Sequence, residues 1–313
     1  MPMLRTLLIK LSTSYLARQA VTHFGPASRT ARRFVAGETV EEAVAVVKRL
    51  NDQGLSATLN HVGESITSEA EAAQAVADFR RLLQRIAAEG LASSISVKPS
   101  HLGLAFGADL YYENIADIVQ IAQQYGLTVE IDMEGSADVE ATLAIYRRLL
   151  QTFNNGIRQA MQAYLYRTPA DLQHLFEQGL TPNIRLVKGA YQEPPELAYQ
   201  DKREINRAML RLMEILLSPP AQADGAYLAL GSHDPVLIES LCREAELRGI
   251  GKDKFEFQML LGVRRDEQQR LAGQGYQVRV YVPYGSAWYP YFMRRLAERP
   301  ANLFFILRAF FGK

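Results

Sequence analysis

The chain contains 313 residues, of which 48% are hydrophobic and 22% are charged, and its formal net charge is +1 at pH 7. This balance is typical of a soluble globular protein with a large core. It argues against a nucleic-acid-binding protein, because no general excess of cations is present. The single cysteine, Cys242, excludes an internal disulfide bond and is compatible with a reducing cytoplasm. The composition therefore predicts a cytoplasmic globular protein.

Both ends of the chain carry features relevant to a membrane surface. The apolar run in residues 1–11 is interrupted by Lys10 and has no small-residue cleavage site after it, which argues against a secretory signal. Residues 1–37 contain six basic residues and no acidic residue. We expect residues 1–50 to form helices that pack on the main domain, with peripheral contact to an anionic inner membrane face as the alternative. The apolar run at 303–311 is too short to span a bilayer and predicts a docked helix or a contact surface.

From residue 51 onward, short β-rich runs alternate with helical patterns. The predicted strands are 56–60, 94–98, 128–133, 157–164, 184–188, 227–232, 255–260 and 277–282. The predicted helices are 40–50, 69–89, 112–125, 137–151, 169–178, 203–217, 235–248, 265–272 and 288–298. Eight strand–helix units predict that residues 51–313 fold as a (β/α)8 barrel. An open doubly wound sheet is the alternative, but no G-x-G-x-x-G follows the first strand.

Polar side chains stand near the C-terminal end of each predicted strand. They are Asn60, Glu64, Lys98, Asp132, Gln162, Arg185, Lys188, His233, Gln258 and Tyr281. Taken one at a time, several of these residues have a structural explanation. Asn60 and Asp132 could cap the next helix, and Arg185 could bond to neighbouring strands. In a parallel barrel, however, these ends meet at one mouth. Their convergence predicts a functional site.

The residue types at the mouth favour an anionic ligand over a metal ion. The chain has no H-x-H or H-E-x-x-H pattern, so no metal site is expected. Arg294 and Arg295 follow the last predicted strand, and paired guanidinium groups suit a carboxylate, although Glu298 offers them a structural salt bridge. Because Lys98 and Lys188 both end strands, a Schiff-base lyase also remains open.

Four motifs resemble those of the proline dehydrogenases, particularly the short monofunctional bacterial type. They are R-L-V-K-G-A-Y at 185–191, Q-M-L-L-G at 258–262, R-V-Y-V-P-Y-G at 279–285 and R-R-L-A-E at 294–298. The resemblance runs from about Glu41 to the C-terminus. It implies a distorted (β/α)8 barrel with noncovalently bound FAD, which oxidises L-proline to Δ1-pyrroline-5-carboxylate and passes the electrons to membrane quinone. A separate Δ1-pyrroline-5-carboxylate dehydrogenase is then an expected partner.

The resemblance also implies roles for individual residues. The implied substrate contacts are Lys98, Leu261, Tyr281, Arg294 and Arg295. The implied flavin contacts are Met133, Gln162, Arg185, Val187, Lys188, Gly189, Ala190, Tyr191, Ser232 and His233. Asp132, as the partner of Lys98, and Arg185, which should favour the reduced flavin, are the implied catalytic residues, and Glu64 pairs with Arg294 as a gate. The chain has Ser232 where the family usually has Thr, and Gln192 where many members have Trp.

Three functional interpretations follow from the sequence. The first is a flavin-dependent proline dehydrogenase. The second is a non-redox barrel lyase that uses Lys98 or Lys188 as a Schiff-base nucleophile. The third is a catalytically silent barrel that binds a ligand.

Overall fold

A computed structural model describes residues 32–63, 66–153 and 155–298, and for residues 294–298 it describes the backbone alone. Its eight strands form one closed barrel in sequence order, with every neighbouring pair parallel. They are β1 (Ser56–His61), β2 (Ser93–Val97), β3 (Val129–Ile131), β4 (Ile157–Gln162), β5 (Asn183–Val187), β6 (Tyr227–Gly231), β7 (Phe255–Leu260) and β8 (Val278–Tyr284). The predicted (β/α)8 barrel is confirmed.

Helices connect successive strands and cover the outside of the barrel. They are α1 (Val40–Asn51), α2 (Glu69–Ala88), α3 (Ala108–Gln124), α4 (Val139–Phe153), α5 (Thr168–Glu177), α6 (Lys202–Leu216), α7 (Pro219–Ala223), α8 (Pro235–Leu247), α9 (Arg265–Gly273) and α10 (Trp288–Glu298). Short 3-10 turns lie at Ser100–Leu102, Leu104–Phe106 and Ser136–Asp138. Among the described residues, no helix has both the length and the apolar composition of a bilayer span.

Side-chain alternation along the strands separates an apolar outer layer from a polar interior. In β1, Ala57 and Leu59 join the hydrophobic cluster beneath the helices. Thr58, between them, is also fully buried, and its hydroxyl donates to Glu130 across the barrel interior at 2.6 Å. Because successive side chains of a strand point to opposite faces, Asn60 shares the interior face with Thr58.

Helix α1 anchors the start of the described chain to the seam where the barrel closes. Thr39 and Glu42 form a capping box at its N-terminus, which satisfies backbone donors that a helix start leaves unpaired. Its buried face packs on β1 and β8. The predicted helix at 40–50 is therefore present, whereas residues 1–31 and the apolar run at 303–311 lie outside the described residues. The proposed division of the chain at residue 50 stays a prediction.

Most strand ends near the mouth lie within one residue of the predicted ones, and three differ by two residues. Strand β3 ends at Ile131 and β4 at Gln162, which leaves Asp132 just beyond its strand. Strand β8 instead continues to Tyr284, because it pairs with β1 as far as His61 and because Val62 N, just beyond β1, donates to Tyr284 O at 2.8 Å. The short helix α7 has no counterpart among the predicted helices.

Candidate active site

Below the mouth, charged side chains fill the interior of this barrel, whereas branched aliphatic side chains fill the interior of most barrels of this type. Glu256 accepts hydrogen bonds from Arg158 Nη1 at 2.5 Å and from Arg279 Nε at 2.9 Å. Arg279 Nη1 also donates to Ala57 O at 2.9 Å, which joins β8 to β1. These charges form a buried network that ties distant strands together.

Glu130 lies at the centre of this network and is fully buried. Its Oε1 accepts from Ser94 Oγ at 2.8 Å as well as from Thr58, and its Oε2 accepts from Gln258 Nε2 at 2.9 Å. Burial alone would raise the pKa of Glu130, but the positive charges of Arg158, Arg185 and Arg279 outweigh that effect and hold its pKa below the usual range. We therefore treat Glu130 as an anion that balances the interior arginines.

A second cluster surrounds Asp132 at the carboxyl end of β3. Asp132 Oδ2 accepts from Lys98 Nζ at 3.0 Å and from Tyr281 OH at 3.1 Å. Its Oδ1 accepts from Ser96 Oγ at 2.7 Å and from Arg185 Nη2. Four donors from β2, β5 and β8 thus converge on one carboxylate, which fixes their positions relative to one another.

The electrostatics of this cluster keep Asp132 ionised and Tyr281 protonated. Burial opposes ionisation of Asp132, but the charges of Lys98 and Arg185 and the hydrogen bond from Ser96 hold its pKa below the usual range. Burial, and then the Asp132 charge, raise the pKa of Tyr281 well above its ordinary value. The phenol is therefore a permanent hydrogen-bond donor at neutral pH.

Arg185 joins the two clusters, because it contacts Asp132 and also donates to Glu130 Oε2 at 3.3 Å. Burial disfavours its charge, yet Asp132 and Glu130 more than compensate and raise its pKa. This is the bonding to neighbouring strands that the sequence left open as a structural explanation. Carboxylates therefore match the positive charges of Lys98 and Arg185 closely.

The mouth can be divided into two arcs that differ in their polar groups. The β8–β3 arc consists of Tyr281 in the middle of β8, Asn60 near the end of β1, and Lys98 and Asp132 just beyond β2 and β3. The β4–β6 arc consists of Gln162, Val187, Lys188, Gly189, Ala190, Tyr191, Ser232, His233 and Asp234, at or just beyond the ends of β4, β5 and β6. Arg185 links them from the interior.

Hydrogen bonds position the polar residues of the β4–β6 arc. Lys188 Nζ donates to Asp234 Oδ2 at 2.6 Å, and Ser232 Oγ accepts from Asp234 N at 3.2 Å. His233 Nε2 accepts from Leu260 N at 2.9 Å, so its imidazole is held against β7. Gln162 Nε2 donates to Glu134 O at 3.2 Å, while the buried Gln162 Oε1 has no partner among the described residues.

Gly189 shapes the backbone of the same arc. Its φ of +112° lies in a region that favours glycine, and a Cβ at this position would stand 2.3 Å from the ring of Tyr164. Ala190 follows it, and Tyr191 is 40% exposed at the rim. The chain therefore needs glycine here to turn closely around Tyr164.

Of the other residues with a predicted site role, the structure describes the side chains of some but not of others. Met133 and Leu261 are buried near the mouth, and Leu261 N donates to Tyr281 O at 3.0 Å. Arg294 and Arg295 belong to α10, but their side chains lie outside the described part of the chain, and so does Glu64. Their predicted contacts with substrate and with each other stay predictions.

The prediction that Asn60 or Asp132 could cap the next helix is wrong. Helix α2 is capped by Ser68, which lies eight residues beyond Asn60, and α4 begins after a 3-10 turn that separates it from Asp132. Asp234 caps α8, because its side chain accepts a hydrogen bond from Val236 N. No cluster of His, Cys, Asp and Glu in the described ranges has the arrangement of a metal site.

Sequence reasoning missed most of the interior network. The network residues without a predicted site role are Thr58, Ser94, Ser96, Glu130, Arg158, Glu256 and Arg279. The alternation of side chains along a strand would have indicated several of them. Glu130 lies two residues before Asp132, and Arg279 lies two residues before Tyr281, so each pair points to the same face. Reading only the strand ends overlooked that pattern.

Comparison with known proteins identifies relatives over the whole chain. Residues 43–308 match the family model described as proline dehydrogenase. Over 314 residues the chain is 41% identical to proline dehydrogenase 1 of Bacillus subtilis (strain 168), covering 99% of this chain and 100% of that protein. It is 40% identical over 282 residues to the proline dehydrogenase of Deinococcus radiodurans, covering 89% of each.

A solved structure resembles the barrel. It is proline utilization A (PutA) from Bdellovibrio bacteriovorus inactivated by N-propargylglycine, with a TM-score of 0.85 and 23% sequence identity. The match covers 99% of this chain and 38% of that one. At this identity the likeness shows the fold alone.

The closed barrel and its polar mouth define a (β/α)8-barrel protein with the lining of a small-molecule site at the carboxyl ends of its strands. The family model and the full-length relatives are more specific. The chain belongs to the proline dehydrogenase family. The resemblance that its motifs indicated is confirmed.

Proposed function

We propose that this protein oxidises L-proline to Δ1-pyrroline-5-carboxylate with a noncovalently bound FAD and passes the electrons to a membrane quinone. Family membership supports the substrate and the redox class. In this proposal a separate Δ1-pyrroline-5-carboxylate dehydrogenase consumes the product. The protein works in the cytoplasm, with peripheral contact to the inner face of the membrane when it delivers electrons.

The observation that carries the proposal is the convergence of Lys98, Arg185 and Tyr281 on the carboxylate of Asp132. This arrangement holds two cations and a phenol rigidly at the mouth, and rigid placement of polar groups is what a barrel site needs to orient a small substrate. Because Asp132 remains charged, it also compensates the positive charge that would otherwise stand alone in a buried site.

The β8–β3 arc is the proposed substrate side. Lys98 is 17% exposed, and together with Arg294 and Arg295 it would bind the carboxylate of proline. Tyr281 and Leu261 would form the walls against the pyrrolidine ring. Glu64 would pair with Arg294 and close the site over the substrate, which excludes water and strengthens each charged hydrogen bond.

The β4–β6 arc has the features that a flavin requires. The buried Gln162 Oε1 lacks a partner among the described residues, so it can accept a hydrogen bond from a polar edge of the ring system. Gly189 brings the backbone close, and Lys188, which is 34% exposed, can approach an anionic group. Met133, Val187, Ala190, Tyr191, Ser232 and His233 complete the proposed contacts. The bound flavin would accept the hydride that proline loses from C5.

Positively charged side chains would favour the neutral form of the substrate amine and the reduced state of the cofactor. The substrate amine must be neutral before its C–N bond can become C=N. Lys98, Arg294 and Arg295 place positive charge near that amine and so disfavour its protonated form. Arg185 supplies positive charge beside the cofactor and favours its reduced state, which carries additional negative charge.

The Schiff-base alternative receives less support from the geometry. A Schiff-base nucleophile must be a neutral amine. Lys98 Nζ lies 3.0 Å from Asp132 Oδ2, and Lys188 Nζ lies 2.6 Å from Asp234 Oδ2. Each nitrogen is therefore engaged in an ion pair that it would have to leave before it could attack a carbonyl group.

A visible absorption spectrum of the purified protein tests the proposal. We expect flavin bands that bleach when L-proline is added without oxygen and that recover when a soluble quinone analogue is added. A protein without flavin bands, from which borohydride traps a lysine adduct of an added aldehyde, would favour the lyase. A protein with neither property would favour the silent barrel.

A further inference from the structure

One buried amide at the mouth has no explanation in the fold. Asn60 is 2% exposed, and its Nδ2 has no hydrogen-bond partner among the described residues. An unpaired buried donor destabilises a protein, and native structures contain few of them. Its expected use as a helix cap is excluded, because Ser68 caps α2. A ligand that supplies an acceptor would account for the amide.

The position of Asn60 indicates that the ligand accepting its hydrogen bond is the substrate and not the cofactor. In the barrel register Asn60 stands opposite Ser96 on β2 and Pro283 on β8. Lys98 lies two residues beyond Ser96, and Tyr281 lies two residues before Pro283, so both proposed substrate contacts come from the strands that flank β1. The proposed flavin contacts on β4, β5 and β6 belong to the other arc.

The chemistry of the unpaired atom also indicates which group of the substrate it contacts. An amide nitrogen only donates hydrogen bonds, so its partner must be an acceptor. The carboxylate of the substrate is a strong acceptor, and Lys98, one strand away, is already assigned to it. We propose that Asn60 is a further substrate-binding residue and that its Nδ2 donates to the substrate carboxylate. This inference rests on the proposed function.

Replacement of Asn60 by an apolar residue of similar size tests the proposal with two opposite effects. In Asn60→Leu the unpaired donor disappears, so the holoenzyme without substrate should melt at a higher temperature than wild type. The same variant should bind tetrahydrofuran-2-carboxylate, a non-oxidisable analogue of proline, about tenfold more weakly, because a charge-assisted hydrogen bond is lost. Binding is measured from the change in flavin absorbance.

Thr58→Val is the matched control. Thr58 lies two residues away on the same face of β1, but its hydroxyl is bonded to Glu130 and to Ser94. Loss of a satisfied hydroxyl should lower the melting temperature of the holoenzyme. The two substitutions therefore move stability in opposite directions if Asn60 is reserved for a ligand.

Pyrrolidine, which lacks the carboxylate, identifies the contacted group. The ratio of kcat/KM for L-proline to that for pyrrolidine should fall about tenfold in Asn60→Leu, and further in Asn60→Asp, where two carboxylates repel. An unchanged analogue affinity overturns the proposal. A lower melting temperature, or failure of Asn60→Leu to fold, overturns it too, because it reveals a structural bond.

The outcomes for wild type separate this inference from the proposed function. If wild-type protein holds no flavin, or if L-proline does not bleach it, the proposed function itself fails. If wild type reacts with L-proline while Asn60→Leu binds the analogue equally well, the proposed function stands and only the role of Asn60 is wrong.

Discussion

The two arcs of the barrel mouth satisfy their polar groups in different ways. In the β8–β3 arc, Asp132 is 7% exposed and receives four donors from three other strands. In the β4–β6 arc, Lys188 and Asp234 form a pair whose side chains are 34% and 23% exposed. The first arc is preformed and rigid without a ligand, whereas the second depends on backbone shape and half-buried pairs.

This difference suits the two groups that the arcs are proposed to hold. A small substrate gives few contacts, so its orientation depends on groups that are already fixed. A large cofactor offers many contacts, so it can bind residues that are individually less constrained.

The strongest test is neutralisation of one carboxylate in each arc. Asp132→Asn leaves Lys98 and Arg185 without their buried counter-charge and should lower the free energy of unfolding by about 3–5 kcal/mol. Asp234→Asn removes a half-buried pair and retains the cap of α8, so the loss should be about 1 kcal/mol or less. Urea unfolding measures both. Equal losses would contradict the contrast between the arcs.

The pH dependence of that difference should follow the pKa of Asp132. The pKa is lower in the folded protein than in the unfolded chain, so the stabilising contribution is present above about pH 4 and is lost as the pH falls through the folded value. Between wild type and Asp132→Asn, the gap in unfolding free energy should be constant from pH 7 to pH 5. It should then shrink by about 1 kcal/mol per unit below pH 4. A gap unaffected by acid would mean that Asp132 is not the titrating group.

Removal of one guanidinium group should weaken substrate binding strongly without affecting the cofactor. In Arg295→Ala the apparent affinity for L-proline should fall by about 2–3 kcal/mol, because a charge-assisted bond is lost from a closed site. The flavin content should match wild type, since Arg295 is assigned to the substrate. If the apparent affinity for L-proline is unchanged, the assignment of the carboxylate to this arginine fails.

Gly189→Ala tests the backbone shape of the β4–β6 arc. The new Cβ would stand 2.3 Å from the Tyr164 ring at a φ of +112°, and relief of this clash should lower flavin affinity by about 2 kcal/mol. Gly126→Ala is the control, because it has φ +66° but open space around the Cβ. It should cost about 1 kcal/mol of stability and leave flavin affinity intact. Flavin release during dilution measures the affinity.

The smallest expected effect concerns the residue that links the arcs. Arg185→Ala should lower the midpoint potential of the bound flavin by about 30 mV, which corresponds to about 1.4 kcal/mol for two electrons. Arg279→Ala removes an equal charge from the deeper layer beside Glu256 and should change the potential less. Spectroelectrochemical titration measures both. If Arg185→Ala causes no decrease, Arg185 has only the structural role that its bonds to Glu130 and Asp132 describe.

The barrel could be predicted from the sequence because its cause is local and repeated. Each predicted strand is a short apolar or β-branched run, each is followed by a helical pattern, and eight such units close most simply as a parallel barrel. Boundaries were less accurate where the ladder depends on distant donors. Strand β8 extends to Tyr284 because Val62 N donates to Tyr284 O at 2.8 Å, a partner more than two hundred residues away in sequence.

The polar residues of the mouth were predictable as a set, but their pairings were not. Lys98 and Asp132 lie just beyond the ends of β2 and β3, whereas Arg185 and Tyr281 lie in the middle of β5 and β8, and all four side chains meet inside the barrel. Sequence spacing does not tell which carboxylate a buried arginine meets across a barrel. Arg158 and Glu256 are 98 positions apart in sequence and yet bonded, so only the closed sheet brings them into contact.

The closing seam of the barrel has a consequence for the synthesis of this protein. Strands β1 and β8 pair over six residues, from Ser56 with Arg279 to His61 with Tyr284. The ribosome makes β1 before β8, so the first strand waits for its partner through more than two hundred added residues. During that interval the unpaired edge of β1 can aggregate or bind chaperones, and Glu130 lacks the charge of Arg279 until β8 has been synthesised.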